Sequence, residues 1–117
     1  MDERKTMTDP DCLFCKIVNC DIPSEKVYED ASVYAFRDIN PKAKVHVLVV
    51  PREHYRNVDE LARADAQLLA HIVEVAQRIA DQEYDGSYRL VFNTGEKAGQ
   101  TVFHVHAHVL TGEPLDE

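Results

Sequence analysis

The 117-residue sequence lacks any uninterrupted apolar run approaching the roughly 18 residues that a membrane-spanning helix requires. Residues 1–11 are mostly polar and charged, so they also lack the apolar stretch of a secretory signal. These two absences predict a cytoplasmic protein with no membrane partner.

The sequence also has fewer basic than acidic residues. The sequence has 13 Lys and Arg residues against 21 Asp and Glu residues, which gives a formal net charge of -8. Binding to a nucleic acid polymer needs a basic face that displaces counterions, so no such partner is expected. A small phosphorylated ligand is compatible with this charge, because a local site can hold one phosphate inside an acidic protein.

Cysteine is scarce and poorly placed for disulfides. Cys12, Cys15 and Cys20 are odd in number and tightly spaced, so they do not form a disulfide framework. The pair Cys12-x-x-Cys15 allows a redox pair, a metal site, or two small apolar residues without a ligand. A redox pair of the thioredoxin type follows a strand, and no strand-like run precedes Cys12. A zinc site needs four donors, so two ligands would have to come from distant histidines.

Several common catalytic motifs are missing. Gly95 and Gly99 do not form a phosphate-binding P-loop, because no Lys-Ser/Thr follows them and the next element is a strand. The sequence also has no His-Glu-x-x-His motif and no serine nucleophile elbow.

Apolar periodicity predicts an α+β domain. A long helix is predicted from about Arg63 to about Glu83, because apolar residues recur there at a spacing of three to four, as at Leu68, Ile72, Ala76 and Ile79. Asp85-Gly86 ends this helix. The other predicted elements are a short N-terminal helix over 13–19 and strands over 26–29, 33–38, 46–51, 88–93 and 103–110. The sequence therefore predicts a flexible tail over residues 1–11 and one domain over residues 12–117, with a largely antiparallel five-stranded sheet.

The run His104-Val105-His106-Ala107-His108 is the most informative feature of the sequence. Alternate residues of a strand point to one face, so the three imidazoles are expected to project together, opposite Val105 and Ala107. One neutral ring can then attack while a protonated neighbour donates to an oxyanion. An exposed polar face and a three-histidine metal site are the alternatives. The preceding loop favours a phosphate, because Gly95, Gly99, Gln100 and Thr101 supply backbone N–H groups, an amide and a hydroxyl.

The segment from Gly99 to Leu110 resembles the signature of the histidine-triad (HIT) family, His-φ-His-φ-His-φ-φ with φ apolar. The resemblance extends from Cys12 onward. The segments Phe36–Pro41 and His46–His54 are similar to the Hint branch of the family. The resemblance implies a HIT-like fold. It also implies that a histidine attacks the α-phosphorus of a nucleotide and forms a nucleotidyl-histidine intermediate, which water hydrolyses.

The resemblance also implies roles for individual residues. His106 would be the nucleophile and His108 a donor to a phosphate oxygen, with His104 completing the triad and His46 behind it. Asp38 would bind the ribose hydroxyls. Gln100 and Thr101 would hold the phosphate and the leaving-group side, and Asn93 would reach the phosphate region. The apolar slot for the base would consist of Leu13, Phe14, Ile17, Phe36 and Ile39.

Two further features follow from the resemblance. Some bacterial members carry a zinc site whose ligands correspond here to Cys12, Cys15, His54 and His104. Hint proteins also pair the long helix and the strand at Tyr88–Asn93 across a two-fold axis, which implies a homodimer. Pairing would also cover an edge strand of the sheet.

The resemblance implies a hydrolase of purine nucleoside phosphoramidates. The alternatives are Fhit-like cleavage of dinucleoside polyphosphates, a nucleotide-binding adaptor with incidental activity, and a zinc-storage or structural metal protein. The tail from Thr111 to Glu117 lacks the tryptophan-containing ending of many Hint proteins. Because that ending helps to shape substrate preference in the family, the leaving group is the least determined part of the prediction.

Overall fold

The structure, a computed structural model, describes residues 11–117, so the tail predicted over 1–11 lies almost entirely outside the described residues. Within these residues, three helices, one 3-10 turn and five strands form an α+β fold, as predicted. The helices are α1 (Leu13–Val18), α2 (Val58–Ala64) and α3 (Ala66–Glu83), and the 3-10 turn spans Glu96–Ala98. The strands are β1 (Lys26–Glu29), β2 (Val33–Arg37), β3 (Val45–Pro51), β4 (Arg89–Val91) and β5 (Ala107–Thr111). Among the described residues no helix is both long and apolar enough to cross a membrane.

The five strands form one antiparallel sheet in the order β1-β2-β3-β5-β4. This confirms the predicted sheet. β3 is the central strand, and its residues from His46 to Pro51 are all buried, in agreement with its continuous apolar sequence. β3 also pairs directly with β5, so the strand that carries the last triad histidine lies next to His46.

The main core lies between the sheet and α3. Ile72, Val75, Ala76 and Ile79 form the buried stripe of α3, which packs in one cluster with Val33, Val47 and Val49 of the sheet. Val105, Ala107 and Val109 belong to the same cluster, whereas the histidines that alternate with them do not. Val105, Ala107 and Val109 therefore face α3, and the expected placement of Val105 and Ala107 opposite the histidines is confirmed.

The prediction of a single long helix from about Arg63 is wrong at the N-terminal end of the helix. Helix α2 ends at Ala64, and α3 begins anew at Ala66, because Asp65 has a non-helical backbone (φ -156°, ψ 80°). Its carboxylate accepts from the N–H of Leu68 and caps α3. At the other end α3 stops at Glu83, and the N–H of Gly86 (φ 91°) closes the last turn on the carbonyl of Ala80.

The last strand is shorter than predicted. β5 begins at Ala107, so His104 and His106 precede it instead of lying within it. By the register of β3 and β5, Val105 would lie opposite Pro51, which has no N–H to donate to a strand pair. The N–H of Val105 bonds to the carbonyl of Tyr55 instead. The neighbouring strand β4 is also trimmed, from the predicted 88–93 to Arg89–Val91.

Candidate active site and metal cluster

The surroundings of His106 determine which of its two ring nitrogens carries the proton. Its Nδ1 lies 2.8 Å from the backbone carbonyl of His104, which can only accept, so Nδ1 carries the proton and donates. In the neutral ring Nε2 therefore has a lone pair. Phe14 packs edge-on against this imidazole with ring centroids 4.9 Å apart, and only 8% of the residue is exposed. Such a lone pair can act chemically as a nucleophile.

His108 has the opposite proton arrangement. The backbone N–H of Lys42 donates to Nδ1 of His46 (3.0 Å), so the proton of His46 is on Nε2. That Nε2 lies 2.9 Å from Nδ1 of His108 and 3.5 Å from Oδ2 of Asp38, and we assign the proton to the shorter contact. The proton of His108 is then on Nε2. This atom is buried and has no hydrogen-bond partner within residues 11–117, so it is a donor available to a ligand.

Burial keeps these rings neutral. It lowers the pKa of His106, and it lowers that of His108 to about 4, with His106 and His46 adding charge repulsion. Burial also lowers the pKa of His46. The sequence-based expectation of a protonated neighbour is therefore wrong, because His108 donates from a neutral imidazole. Two neutral rings with opposite tautomers therefore present a lone pair and an N–H donor side by side, with ring centroids 4.9 Å apart.

Cys12, Cys15, His54 and His104 come together, and their donor atoms all lie within 4.8 Å of one another. Nδ1 of His104 is 3.4 Å from both sulfur atoms and 3.2 Å from Nδ1 of His54. Cys12 is the N-cap of α1, and its sulfur accepts from the N–H of Cys15. The helix turn thus points both thiols at one centre, and His104 is fully buried there.

The donor set fits a tetrahedral zinc ion. Zinc bonds of about 2.0–2.3 Å place neighbouring donors about 3.3–3.8 Å apart, close to the separations found here. Nε2 of His104 donates to the carbonyl of Pro51 (2.9 Å), which leaves the Nδ1 lone pair facing the thiols. Asp38, His46 and His108 form a second group of metal-capable residues. That group is a poorer ligand set. The N–H of Lys42 donates to Nδ1 of His46, so the proton of His46 is on Nε2, and this nitrogen, which faces Asp38 and His108, has no lone pair for a metal.

The side chains predicted for the base slot are partly brought together. Phe14, Ile17 and Phe36 belong to one buried cluster, and the rings of Phe14 and Phe36 meet edge to face at 5.5 Å. Leu13 is 44% exposed and Ile39 is 91% exposed, so these two lie at the surface. Asp38 is half-buried at the end of β2, and its Oδ1 accepts from the N–H of Asn40 while Oδ2 faces His46.

The family assignment rests on comparisons with known proteins. A family model described as scavenger mRNA decapping enzyme C-term binding matches residues 11–114. The purine nucleoside phosphoramidase of Escherichia coli (strain K12) is 42% identical over 105 residues, which are 88% of each chain. A histidine triad protein from Clostridium difficile superimposes with a TM-score of 0.89 at 42% identity, over 95% of this chain and 98% of that one. The chain belongs to the histidine-triad family.

A second solved structure agrees with this histidine-triad assignment. It is a HIT family hydrolase from Clostridium thermocellum, with a TM-score of 0.88 at 45% identity over 94% of this chain and 97% of that one. The similarity covers both the histidine run and the N-terminal residues of the metal cluster, because it extends along nearly the whole chain.

In this histidine-triad protein Gln100 does not have the role that the sequence predicted. Gln100 is only 2% exposed, and within residues 11–117 its amide bonds only to backbone groups. Oε1 accepts from the N–H of Gly95, and Nε2 donates to the carbonyls of Arg56 and Val102. An amide occupied in this way cannot also bind a phosphate, so Gln100 holds the loop closed. Thr101 is exposed at the end of that loop, and Asn93 is half-buried just after β4.

Sequence reasoning missed the backbone partners that set the histidine tautomers. The N–H of Lys42 and the carbonyl of Pro51 are main-chain groups, and no residue type reveals them. It also missed Arg56, whose guanidinium lies 4.4 Å from the centroid of the Phe103 ring.

Proposed function

We propose that the protein hydrolyses purine nucleoside phosphoramidates through a nucleotidyl-histidine intermediate on His106. The observation that carries the proposal is the pair of opposite tautomers. His106 presents a lone pair at Nε2, and His108 presents an unpartnered N–H at its own Nε2. In-line displacement at phosphorus passes through a trigonal-bipyramidal arrangement and uses both groups, because the lone pair forms the new bond and the N–H stabilises the charge on a non-bridging oxygen.

The two chemical steps balance without an external reagent. Nε2 of His106 forms a bond to the α-phosphorus while the phosphorus–nitrogen bond to the leaving group breaks. The departing amine takes a proton from the exposed hydroxyl of Thr101, which we assign as the relay and which regains a proton from solvent. Water then attacks the phosphorus and gives up a proton to solvent, the bond to His106 breaks, and a nucleoside monophosphate leaves.

The donor from His108 stabilises the phosphate oxygen in both steps. His46 keeps that donor available, because its Nε2–H occupies Nδ1 of His108 and so leaves the proton of His108 on Nε2. Asp38 would bind the ribose, Asn93 would reach the phosphate, and the apolar cluster around Phe14 and Phe36 would stack the base. His46 is thus a positioning residue, and His106 and His108 are the groups that touch the reacting atoms.

The substrate class is supported by the similar protein of Escherichia coli, which is a purine nucleoside phosphoramidase. The formal charge of -8 also disfavours a leaving group with several phosphates. An apolar slot offers few groups that distinguish the purines, so adenosine and guanosine substrates are expected to react alike.

The metal proposed for the Cys12, Cys15, His54 and His104 cluster is zinc, in a structural role. Four protein donors leave no position for water, which is the pattern of a structural site. The ion would tie α1 to His104, whose carbonyl holds the proton of His106 in place. When bound, it supplies cross-linking and no step of the reaction.

Two measurements test the proposal. Intact mass spectrometry after rapid mixing with an adenosine phosphoramidate should show the chain with one added adenylyl group, absent from His106→Ala. The specificity constant for the phosphoramidate should exceed that for a diadenosine polyphosphate at equal ionic strength. The reverse order would assign the protein to Fhit-like cleavage, and the absence of turnover with either substrate would favour a nucleotide-binding adaptor.

A further inference from the structure

Two sulfur atoms lie side by side in the metal cluster. Sγ of Cys12 and Sγ of Cys15 are within 4.8 Å of each other, and the backbone N–H of Cys15 donates to Sγ of Cys12 at 3.4 Å. A disulfide joins cysteines whose Cα atoms are about 4.4–6.8 Å apart, and residues three apart on an α-helix are separated by about 5 Å. The first turn of α1 therefore holds this pair at a spacing that a disulfide bond can close.

A cavity of about 420 Å³ gives a small oxidant access to this pair. Cys12 lines it, together with Asp11, Leu13 and Thr101, which are exposed to solvent. A hydrogen peroxide molecule is about as large as two waters, each of which takes about 30 Å³ in the liquid, so the cavity admits it. Cys12 is therefore the thiol that peroxide from solvent can reach.

Phe14 connects the two thiols to His106. It lies between Cys12 and Cys15 in the sequence, and its ring packs edge-on against the imidazole of His106 with centroids 4.9 Å apart. The same ring meets Phe36 at 5.5 Å, and the two cysteines belong to the same buried cluster as the two phenylalanines. Because close-packed interiors transmit strain, a rearrangement of the first turn of α1 moves the ring that borders His106.

His104 provides a second connection. Its Nδ1 is 3.4 Å from each of the two sulfurs, and its carbonyl accepts from Nδ1 of His106 at 2.8 Å. A disulfide has no S–H to donate and is a much weaker metal ligand than a pair of thiolates. Oxidation of the pair would therefore remove both sulfur partners of His104. This imidazole is fully buried, so bulk water cannot replace them.

We propose that Cys12 and Cys15 form a reversible disulfide on reaction with a hydroperoxide, and that the oxidised cluster releases its metal and displaces His106. The proposal rests on the proposed function for its effect on turnover, whereas the thiol chemistry does not depend on it. The protein would then be active only while these two cysteines are reduced.

The reaction balances with one hydrogen peroxide molecule. The thiolate of Cys12 attacks one peroxide oxygen, the sulfur–oxygen bond forms, the oxygen–oxygen bond breaks, and the departing hydroxide takes a proton from solvent. The thiolate of Cys15 then attacks the sulfur of Cys12, and a second hydroxide leaves and takes a second proton. The two thiolates lose two electrons, and the peroxide is reduced to two waters. A thiol reductant reverses the change by thiol–disulfide exchange.

The first test treats the zinc-loaded chain with hydrogen peroxide in the presence of a chromogenic zinc chelator. About one zinc per chain should be released, because a disulfide takes two of the four donors from the site. The intact mass should fall by two hydrogen atoms, and peptide mapping should link Cys12 to Cys15. Dithiothreitol with added zinc should restore the mass and the metal content. Cys20→Ser is the matched control and should respond like the wild type, since Cys20 is exposed and outside the cluster.

Several results of this test would overturn the proposal. They are a disulfide that involves Cys20, a sulfinic or sulfonic acid as the first product on either cysteine of the cluster, and zinc that stays bound after oxidation. None of these readouts depends on turnover, so they decide the thiol chemistry whatever reaction the protein catalyses.

The second test measures the coupling to His106 after the peroxide has been removed. The oxidised protein should bind AMP more weakly by calorimetry, because Phe14 and Phe36 form the wall of the base slot. Turnover of adenosine 5′-phosphoramidate should fall by between about tenfold and a hundredfold, the loss expected when a reacting group is misplaced by about 1 Å. Dithiothreitol with zinc should restore both.

The outcomes separate the two proposals. Equal AMP affinity and equal turnover in the oxidised and reduced forms would overturn the coupling and leave the proposed function standing. A reduced, zinc-loaded protein without turnover would overturn the proposed function, while the mass, the zinc release and the AMP affinity would still decide the disulfide.

Discussion

At the scale of single residues, the site depends on which nitrogen of each imidazole holds a proton. His104 donates to Pro51, His106 donates to His104, and His46 accepts from Lys42, so main-chain groups set three of the four tautomers. The fourth, that of His108, follows from His46. Backbone partners cannot rotate away as a side chain can, and the arrangement is therefore present before a ligand binds.

His106→Ala should lower kcat/KM for an adenosine phosphoramidate by about a thousandfold or more, because the lost ring forms the covalent bond. Binding of AMP, measured by calorimetry, should change by less than about threefold, since the base and ribose contact other residues. A variant that kept a tenth of the wild-type turnover would contradict the assignment of the nucleophile.

The residue types of the site could be predicted from the sequence, because His-x-His-x-His is rare and imidazole chemistry is specific. The role of Gln100 could not. Its amide matched a phosphate ligand by type, but the fold uses all of its hydrogen-bonding groups to close the loop between Gly95 and Val102. Protonation was also mispredicted, since the pKa of His108 depends on burial that only the packed structure reveals.

At the scale of elements, the cluster of Cys12, Cys15, His54 and His104 brings α1 into contact with the segment before β5. Helix α1 has only six residues, too few to be stable alone; Cys12 is its N-cap, and Cys15 lies in its first turn. His54 follows β3, and His104 precedes β5, so one ion would join three separate parts of the chain.

The purified protein should contain about one zinc per chain by elemental analysis. Cys12→Ser should release the metal and lower the melting temperature by several degrees, because metal binding contributes to folding free energy. Cys20→Ser is the matched control, since Cys20 is exposed and outside the cluster. Zinc-free protein prepared without a chelator would leave Cys12 and Cys15 as packing residues.

A second tie between elements joins the β1-β2 turn to α3. Oδ2 of Asp30 accepts from Nε2 of His71 (2.7 Å) and from the hydroxyl of Tyr28, and Oδ1 accepts from the N–H groups of Ser32 and Val33. The hydrogen bond to Asp30 raises the pKa of His71, with Glu74 adding to the effect. The same hydrogen bond, with those from Ser32, Val33 and Tyr28, lowers the pKa of Asp30 against the effect of burial.

The stabilising effect of this pair should depend on pH. A raised histidine pKa stabilises the fold below the ordinary value of about 6.5 and ceases to do so as the pH rises through the raised pKa. The lowered pKa of Asp30 stabilises the fold at pH values above about 3.8, the ordinary pKa of an aspartate. His71→Gln should therefore cost more unfolding free energy in urea at about pH 5.5 than at about pH 9. Arg63→Gln, which breaks the exposed pair with Asp59, should cost the same at both values; a pH-independent cost for His71→Gln would disprove the coupling.

The boundaries of the elements were predicted less well than their existence. The apolar periodicity of α3 indicated its buried face correctly, but it did not reveal that Asp65 interrupts the helix. An aspartate inside a helical pattern serves equally well as a surface residue or as a cap, and only the turn of the chain decides.

At the scale of the whole molecule, the sheet ends in an incompletely paired strand. β4 has three residues and pairs with β5 on one side only. Helix α3, which packs on the sheet, leaves Val73 39% exposed, and Leu69 is only partly buried. An edge strand and a partly exposed apolar helix face are surfaces that a second copy of the chain would cover.

Light scattering at micromolar concentration should therefore give twice the mass of one chain. Val73→Glu should shift the protein toward monomer, because it buries a charge in the proposed interface. Ala62→Glu adds the same charge at an exposed position of α2 and should leave the mass unchanged. A monomeric wild type would count against both the edge argument and the similarity to Hint dimers.

The alternation along residues 104–109 has a consequence for insertions and deletions. Val105, Ala107 and Val109 build the core under α3, while His104, His106 and His108 serve the metal cluster and the cleft on the other face. The core residues and the histidines therefore alternate with a period of two residues along the same segment. Losing or gaining one residue in this stretch would exchange the faces, placing imidazoles in the core and aliphatic groups in the cleft. Point substitutions can alter one of these features at a time, whereas a change of length should disturb the core, the proposed metal site and the proposed nucleophile together.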